Sequence, residues 1–207
     1  QQALRDRGSE LIVRHGIASE EIAQLAQRLR VSAVFANEDY EPQARRRDEA
    51  VAQALSQQGQ SFETFKDQVI FSKDELLTQN GQPYRVYTPY RNAWLKKLTP
   101  FYLRAYPTER YLNALAPAPT QTQALPTLAQ LGFQTVDLQA LAITPGARGA
   151  NQQLSRFLTR IDRYDQDREA PALDGGSHLS TPLRFGTASI RELARAASER
   201  TSRGAQA

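Results

Sequence analysis

A chain of 207 residues, 40% apolar and 23% charged, has the length for one large or two small domains and the usage of a folded globular protein, which excludes a disordered chain. Its 26 Lys plus Arg exceed its 22 Asp plus Glu to leave a formal charge of +4, an excess that admits a nucleic-acid partner without requiring one. The absence of Cys excludes disulfides, thiolate catalysis and thiolate-held metals, and two isolated His residues argue against a histidine-rich metal centre.

No apolar run approaches the roughly 20 residues that cross a bilayer, and the N-terminus has neither the basic nor the apolar region of a secretory signal. A soluble, cytoplasmic, monomeric protein with no membrane partner is expected. The sequence begins at Gln1 without Met, on residues 1–7 that read as the middle of a helix, so a piece of a longer protein is expected. Residues 11–16 form a short apolar run stopped by Gly16, followed by helical spacing through Ile17, Ile22, Leu25 and Leu29 with Ser19 as the expected N-cap. Residues 31–36 are a second apolar run of β-formers. Helical spacing returns over residues 42–58 through Ala44, Val51 and Leu55, and residues 62–65 form a third strand-like run after Gly59.

Strands alternating with such helices predict βαβ units and a parallel sheet, whose ligands lie beyond the carboxyl ends of the strands. Residues 37–40 occupy such an end. From 81 to 145 eight prolines break any long element, which predicts a connector with short helices. One of these spans residues 91–98, with Trp94 and Leu98 on one face, and the aromatics Tyr84, Tyr87, Tyr90 and Trp94 are expected to pack rather than to stack on bases. Residues 150–164 are amphipathic through Leu154, Phe157, Leu158 and Ile161, and residues 189–200 through Ile190, Leu193 and Ala197. The small, polar residues 201–207 are expected to fray.

Between the last two helical segments, residues 164–191 read YDQDREAPALDGGSHLSTPLRFGTASIR. Ser177 and Ser180 offer hydroxyls, Gly175 and Gly176 let backbone approach a ligand, and a helix beginning near Pro182 offers N–H groups to an anion. The same letters fit a plain loop that ends in a helix capped by Ser180. Chemistry alone leaves both readings open.

The order Tyr164, Arg168, Pro171-Ala172, Gly176, Ser177, Leu179-Ser180, Leu183-Arg184-Phe185-Gly186, Ser189-Ile190-Arg191 closely resembles the start of the FAD-binding region in the DNA photolyase and cryptochrome family. Two further segments carry the resemblance: NEDYEPQARRRDEAV at 37–51, and residues 62–98, which end in GQPYRVYTPYRNAWLKKL. The chain looks closest to class I cyclobutane pyrimidine dimer photolyases. The resemblance implies an α/β N-terminal part with a parallel, Rossmann-like sheet, joined by a long connector to the start of an all-α FAD-binding domain. Residues 1–98 would be a partial α/β antenna domain, 99–145 the connector and 146–207 the beginning of the helical domain, with the first strands before Gln1 and most of the helical domain beyond Ala207.

Within that resemblance, Tyr164 and the run Gly176, Ser177, His178, Leu179 and Ser180 match the residues around the FAD phosphates and ribityl chain. Gly176 stands where the family has a Thr hydroxyl. Arg168 matches an Arg that contacts damaged DNA, its alternative being an ion pair with Asp165 or Asp167. Gln43 and Ala44 stand where folate-using relatives carry an Asn-Glu pair, which puts a folate antenna in doubt and leaves the second chromophore unassigned. With Trp94 the only Trp, the family's tryptophan electron chain is not in these residues. The implied function is light-driven repair of pyrimidine dimers by electron transfer from reduced FAD, a carbon–carbon lyase reaction in which no catalytic residue is assigned here. The alternatives are a cryptochrome blue-light sensor and an inactive fragment.

Overall fold

The structure, a computed structural model, describes residues 2–119, 124–134, 137 and 143–204, with side chains described up to residue 200. The chain divides into two compact units, Gln1–Phe65 with Tyr106–Val136, and Lys66–Ala105 with Asp137–Ala207.

The first unit opens on a short helix α1 (Gln2–Arg5) and continues through α2 (Ala18–Leu29), β1 (Ala33–Asn37), α3 (Pro42–Ser56) and β2 (Ser61–Phe65). Pro42 starts α3 at a position where its missing N–H is no loss. Ala44, Val51 and Leu55, spaced to fall on one face, are its buried residues, as the spacing predicts. That face packs with Ala26 of α2 and with Ile22, Val34 and Phe62 into one apolar cluster. Having crossed over through α3, the chain returns in β2 parallel to β1, with Val34 opposite Phe62 and Asn37 opposite Phe65.

Alternation then sends Phe35 and Phe65 away from the cluster, where they remain 67% and 55% exposed with ring centroids 6.0 Å apart. Residues 11–16, expected as a strand, are irregular. An apolar run becomes a strand only where a neighbouring ladder accepts it, and among the described residues the sheet consists of β1 and β2 alone. Ser19 does not cap α2 either: Ile17 takes the extended cap conformation, and Glu20 and Glu21 supply the favourable charge in the first turn.

Among its described residues the second unit contains only helices and turns: α4 (Tyr87–Lys97), α5 (Gly146–Leu158), α6 (Tyr164–Asp167), α7 (Ser180–Arg184) and α8 (Ile190–Gly204), with 3-10 turns between. Its core is Ile70, Phe71 and Leu103, against which Trp94, Leu98, Tyr102, Ile190 and Ala194 pack. Phe71 lies edge-on to both Trp94, at 5.7 Å, and Tyr102, at 4.8 Å. Trp94 and Leu98 therefore share a face as expected, whereas Tyr87 is 72% exposed. Burying a side chain such as Phe71 or Leu103 contributes about 1.5–3 kcal/mol, more than an exposed ion pair, so this cluster sets the unit's stability. Residues 201–204, expected to fray, continue α8, and residues 205–207 lie outside the described residues. No described helix is long and apolar enough to cross a membrane.

Two polar devices hold this core. Arg191, only 7% exposed, donates from Nη1 to Asp67 Oδ1 at 3.0 Å, joining α8 to the residue 124 positions earlier. The Glu75 carboxylate accepts from Lys66 Nζ at 2.6 and 2.8 Å and from the Ser72 N–H at 2.6 Å, closing a capping box. Burial would raise the Glu75 carboxyl, but the Lys66 hydrogen bond, the Ser72 N–H and the charges of Lys66 and Lys97 outweigh it and hold it below its ordinary value.

Arg191→Ala removes one partner of the Asp67 pair together with a buried stem, and is expected to cost about 1–3 kcal/mol. Denaturant unfolding followed by the fluorescence of Trp94 reads this directly, and an unchanged midpoint contradicts the role. Because the folded Glu75 carboxyl is lowered, its stabilising effect is full above the ordinary carboxylate value and is lost as pH falls through the folded value. Stability should therefore drop as pH falls below the ordinary carboxylate range, and Glu75→Gln should flatten that acid limb in a pH series of melting curves.

Candidate functional site

The segment from α5 to α8 turns on the end of α5. Phe157 is buried there and meets the Tyr164 ring edge to face, with centroids 5.5 Å apart and planes at 87°. This leaves Tyr164 39% exposed at the start of α6. The Arg168 guanidinium lies 5.7 Å from the Tyr164 ring centroid, and its Nε donates to Glu169 at 3.0 Å. Tyr164 first, and Glu169 after it, hold the guanidinium above even its ordinary high value. The ion pair expected with Asp165 or Asp167 does not form. Arg163, one turn earlier on the same face, takes Asp167 at 3.0 Å and leaves Arg168 to its neighbour Glu169.

Beyond Arg168 the chain bends back so closely that a Cβ on Gly175 would stand 2.5 Å from the Asp167 carbonyl carbon and oxygen and 2.7 Å from the Arg168 nitrogen. Only glycine fits that approach. Gly176 differs: a Cβ there would meet nothing nearer than the His178 ring at 3.9 Å, and its backbone is not left-handed. From the end of α5, Arg160 reaches across with both terminal nitrogens, Nη1 to Asp174 Oδ2 at 2.8 Å and Nη2 to the Gly176 carbonyl at 2.9 Å. The other Asp174 oxygen pairs with His178 Nε2. His178 first and Arg160 second push the Asp174 carboxyl below its ordinary value. That pairing also pins His178, whose backbone is left-handed at φ 53°. Gln153 Nε2 donates to the Ser177 carbonyl at 3.3 Å.

The carbonyls of Gly176 and Ser177 are thus both turned toward α5. In a trans peptide the N–H of the next residue points opposite to the carbonyl, so the N–H groups of Ser177 and His178 face away from α5. Leu179 is buried and anchors the far end, while Ser180 is exposed. The structure therefore brings Gly176, Ser177, His178, Leu179 and Ser180 into one turn with the Ser177 and His178 amides outward, while the Leu179 N–H donates to Ser177 Oγ at 3.5 Å, and places Tyr164 and Arg168 on each other's surface. Ser180 is the first residue of α7 rather than its N-cap; Leu179 holds the cap position without a side-chain hydrogen bond. With five residues, α7 contributes little dipole.

Arg160, Asp174 and Gln153 were not singled out by the sequence. The four-residue spacing of Asp174 and His178 was the one available signal, and it points only to a local pair. In the first unit, Asn37 closes β1, and the following Glu38 donates its N–H to the Phe65 carbonyl at 2.8 Å. Gln43 is exposed and Ala44 is buried in α3, so a carboxylate at 44 would be directed into the apolar side of the helix.

Residues 1–113 match the family model for DNA photolyase, and the chain belongs to that family. A deoxyribodipyrimidine photo-lyase of Synechococcus sp. is 40% identical over 205 residues, covering 96% of this chain and 41% of the relative. The crystal structure of a bacterial class III photolyase from Agrobacterium tumefaciens superposes with a TM-score of 0.80 at 26% identity, over 98% of this chain and 42% of that one. An archaeal photolyase from Sulfolobus tokodaii, solved with two FAD molecules, shares the fold with a TM-score of 0.66 at 22% identity over 99% of this chain and 41% of its own. The chain spans about two fifths of the length of these relatives.

The two adjacent glycines should respond oppositely to a methyl group. Gly175→Ala is expected to destabilise the second unit by about 1–3 kcal/mol, because the clash is with backbone. Gly176→Ala should be neutral or stabilising by about 0.4–1 kcal/mol. Equal effects of the two substitutions on the unfolding midpoint would contradict this geometry.

Proposed function

We propose that this chain is part of a flavin-dependent DNA repair enzyme, in which the turn 176–180 holds the phosphates of FAD and Arg168 meets damaged DNA. The observation that carries the reading is the orientation of the turn. Its Gly176 and Ser177 carbonyls are engaged by Arg160 and Gln153, so the Ser177 and His178 amides face the opposite side. Amides so turned, with the hydroxyls of Ser177 and Ser180 beside them, are a donor set suited to an anion. The nearest carboxylate, Asp174, is already paired with Arg160 and His178 and its charge is offset. The residues present therefore fit a dinucleotide phosphate.

Bound and reduced FAD supplies, on excitation, the electron that splits a pyrimidine dimer. The chain's own residues bind and orient. Tyr164 is seated on Phe157, and Leu179 keeps the turn's far end in the apolar interior. A dimer inside a duplex has to be flipped out to be reached, and an exposed, permanently charged Arg168 suits contact with the distorted strand. The 40% identity to a deoxyribodipyrimidine photo-lyase over nearly the whole chain supports repair rather than signalling.

Blue light should remove dimers from damaged DNA when the whole protein that carries this chain is present, and darkness should not. Flavin binding without repair would favour a light sensor instead. In the same protein Ser177→Ala with Ser180→Ala should weaken FAD retention by up to about tenfold per lost hydrogen bond. Unchanged retention would sink the phosphate role of the two hydroxyls.

A further inference from the structure

We infer that Arg160 is the positioning residue of the flavin-phosphate turn: its guanidinium fork fixes the Gly176–Ser177 peptide so that the Ser177 amide faces the ligand, and cancels the charge of Asp174 beside it. The inference rests on the reading of residues 176–180 as a flavin-phosphate site. Three observations carry it. Arg160 spends two nitrogens on this turn, one on the Gly176 carbonyl at 2.9 Å and one on Asp174 at 2.8 Å, from a backbone position 16 residues before Gly176. Its Nε is buried with no hydrogen-bond partner. A conformation that strands a donor persists only where the other contacts outweigh the loss, which identifies the Nη contacts as the ones that hold the side chain. Finally, Gly176 has neither a side chain nor a left-handed backbone to define its peptide plane, so the plane is set from outside.

The arrangement accounts for the missing hydroxyl. Where the resemblance leads one to expect a Thr at 176, the turn has one ligand donor fewer and a looser backbone. A planar fork reaching two acceptors at once restores the stiffness, which a single ammonium could not do with the same geometry. Arg160 touches no ligand in this scheme. It acts through the Ser177 amide.

The test uses the whole protein, purified as wild type, Arg160→Ala, Arg160→Lys and Asp174→Asn, with FAD as the probe. Amide hydrogen exchange of residues 176–179 without FAD reads the positioning, and FAD dissociation constants read its consequence. Arg160→Ala should speed exchange in the turn and weaken FAD on the order of tenfold or more, with the melting temperature of the flavin-free protein little changed. Arg160→Lys should recover only part of the affinity. Adding Gly176→Thr to Arg160→Ala should restore some FAD binding, which a merely structural role for Arg160 would not predict. Unchanged exchange in Arg160→Ala, or faster exchange with FAD affinity unchanged, overturns the inference. Failure of the wild type itself to bind FAD overturns the flavin reading, and is told apart because it precedes any substitution.

Discussion

A buried charge must be met, and in the second unit Arg191 is met by Asp67. The requirement joins the first residues of the 66–105 segment to the first turn of α8, and the apolar contacts follow from it: Ile190 and Ala194, on either side of Arg191 along the helix, come down on Phe71 and Leu103. Arg195 adds a bond to the Leu103 carbonyl at 3.4 Å. An ion pair with a half-exposed carboxylate is not what stabilises most here. Its worth lies in register, since a slip of α8 by one residue would leave the guanidinium buried and unpartnered.

From α8 the constraint passes back along the chain to the turn that carries the proposed site. The Thr187 N–H bonds to the Pro182 carbonyl at 2.9 Å, so α7 and α8 are separated by a tight connection and α7 has little freedom once α8 is docked. The turn 174–179 is then clamped at both ends, by Leu179 buried ahead of α7 and by the Gly175 backbone lying against Asp167. Arg160 fixes what remains, the middle peptide. A site built this way is rigid because each end is held by a different kind of contact, apolar at Leu179 and steric at Gly175.

What could be read from the sequence follows the range of the interactions. The β1–α3–β2 unit was legible because the apolar positions Ala44, Val51 and Leu55 report a helix face directly, and because β-formers flank it on both sides. The strand expected at 11–16 was not, since strand formation depends on a pairing partner that no local pattern encodes. The Ser19 and Ser180 caps failed for a related reason: each serine lies inside its helix, and the cap position falls earlier, two residues before Ser19 at Ile17 and one residue before Ser180 at Leu179. The members of the proposed phosphate turn are legible only through likeness to the family. The residues that orient it are not, because Arg160 and Gln153 bind backbone carbonyls, and a carbonyl has no side chain to leave a signature.

Asp174 is the odd member of the proposed anion site, and its pairing resolves the oddity. A free carboxylate next to a phosphate would oppose binding over distances shorter than the screening length of about 10 Å. With Arg160 on one oxygen and His178 on the other, Asp174 instead links two elements of the turn while its charge is offset. The linkage is unequal in its two directions. Loss of Arg160 would both free the Gly176 carbonyl and uncover a negative charge, two effects of the same sign on an anionic ligand. Loss of the Asp174 charge would loosen Arg160 but leave a positive charge in place, two effects of opposite sign. The turn therefore depends more on the cation that orients it than on the carboxylate that holds the cation.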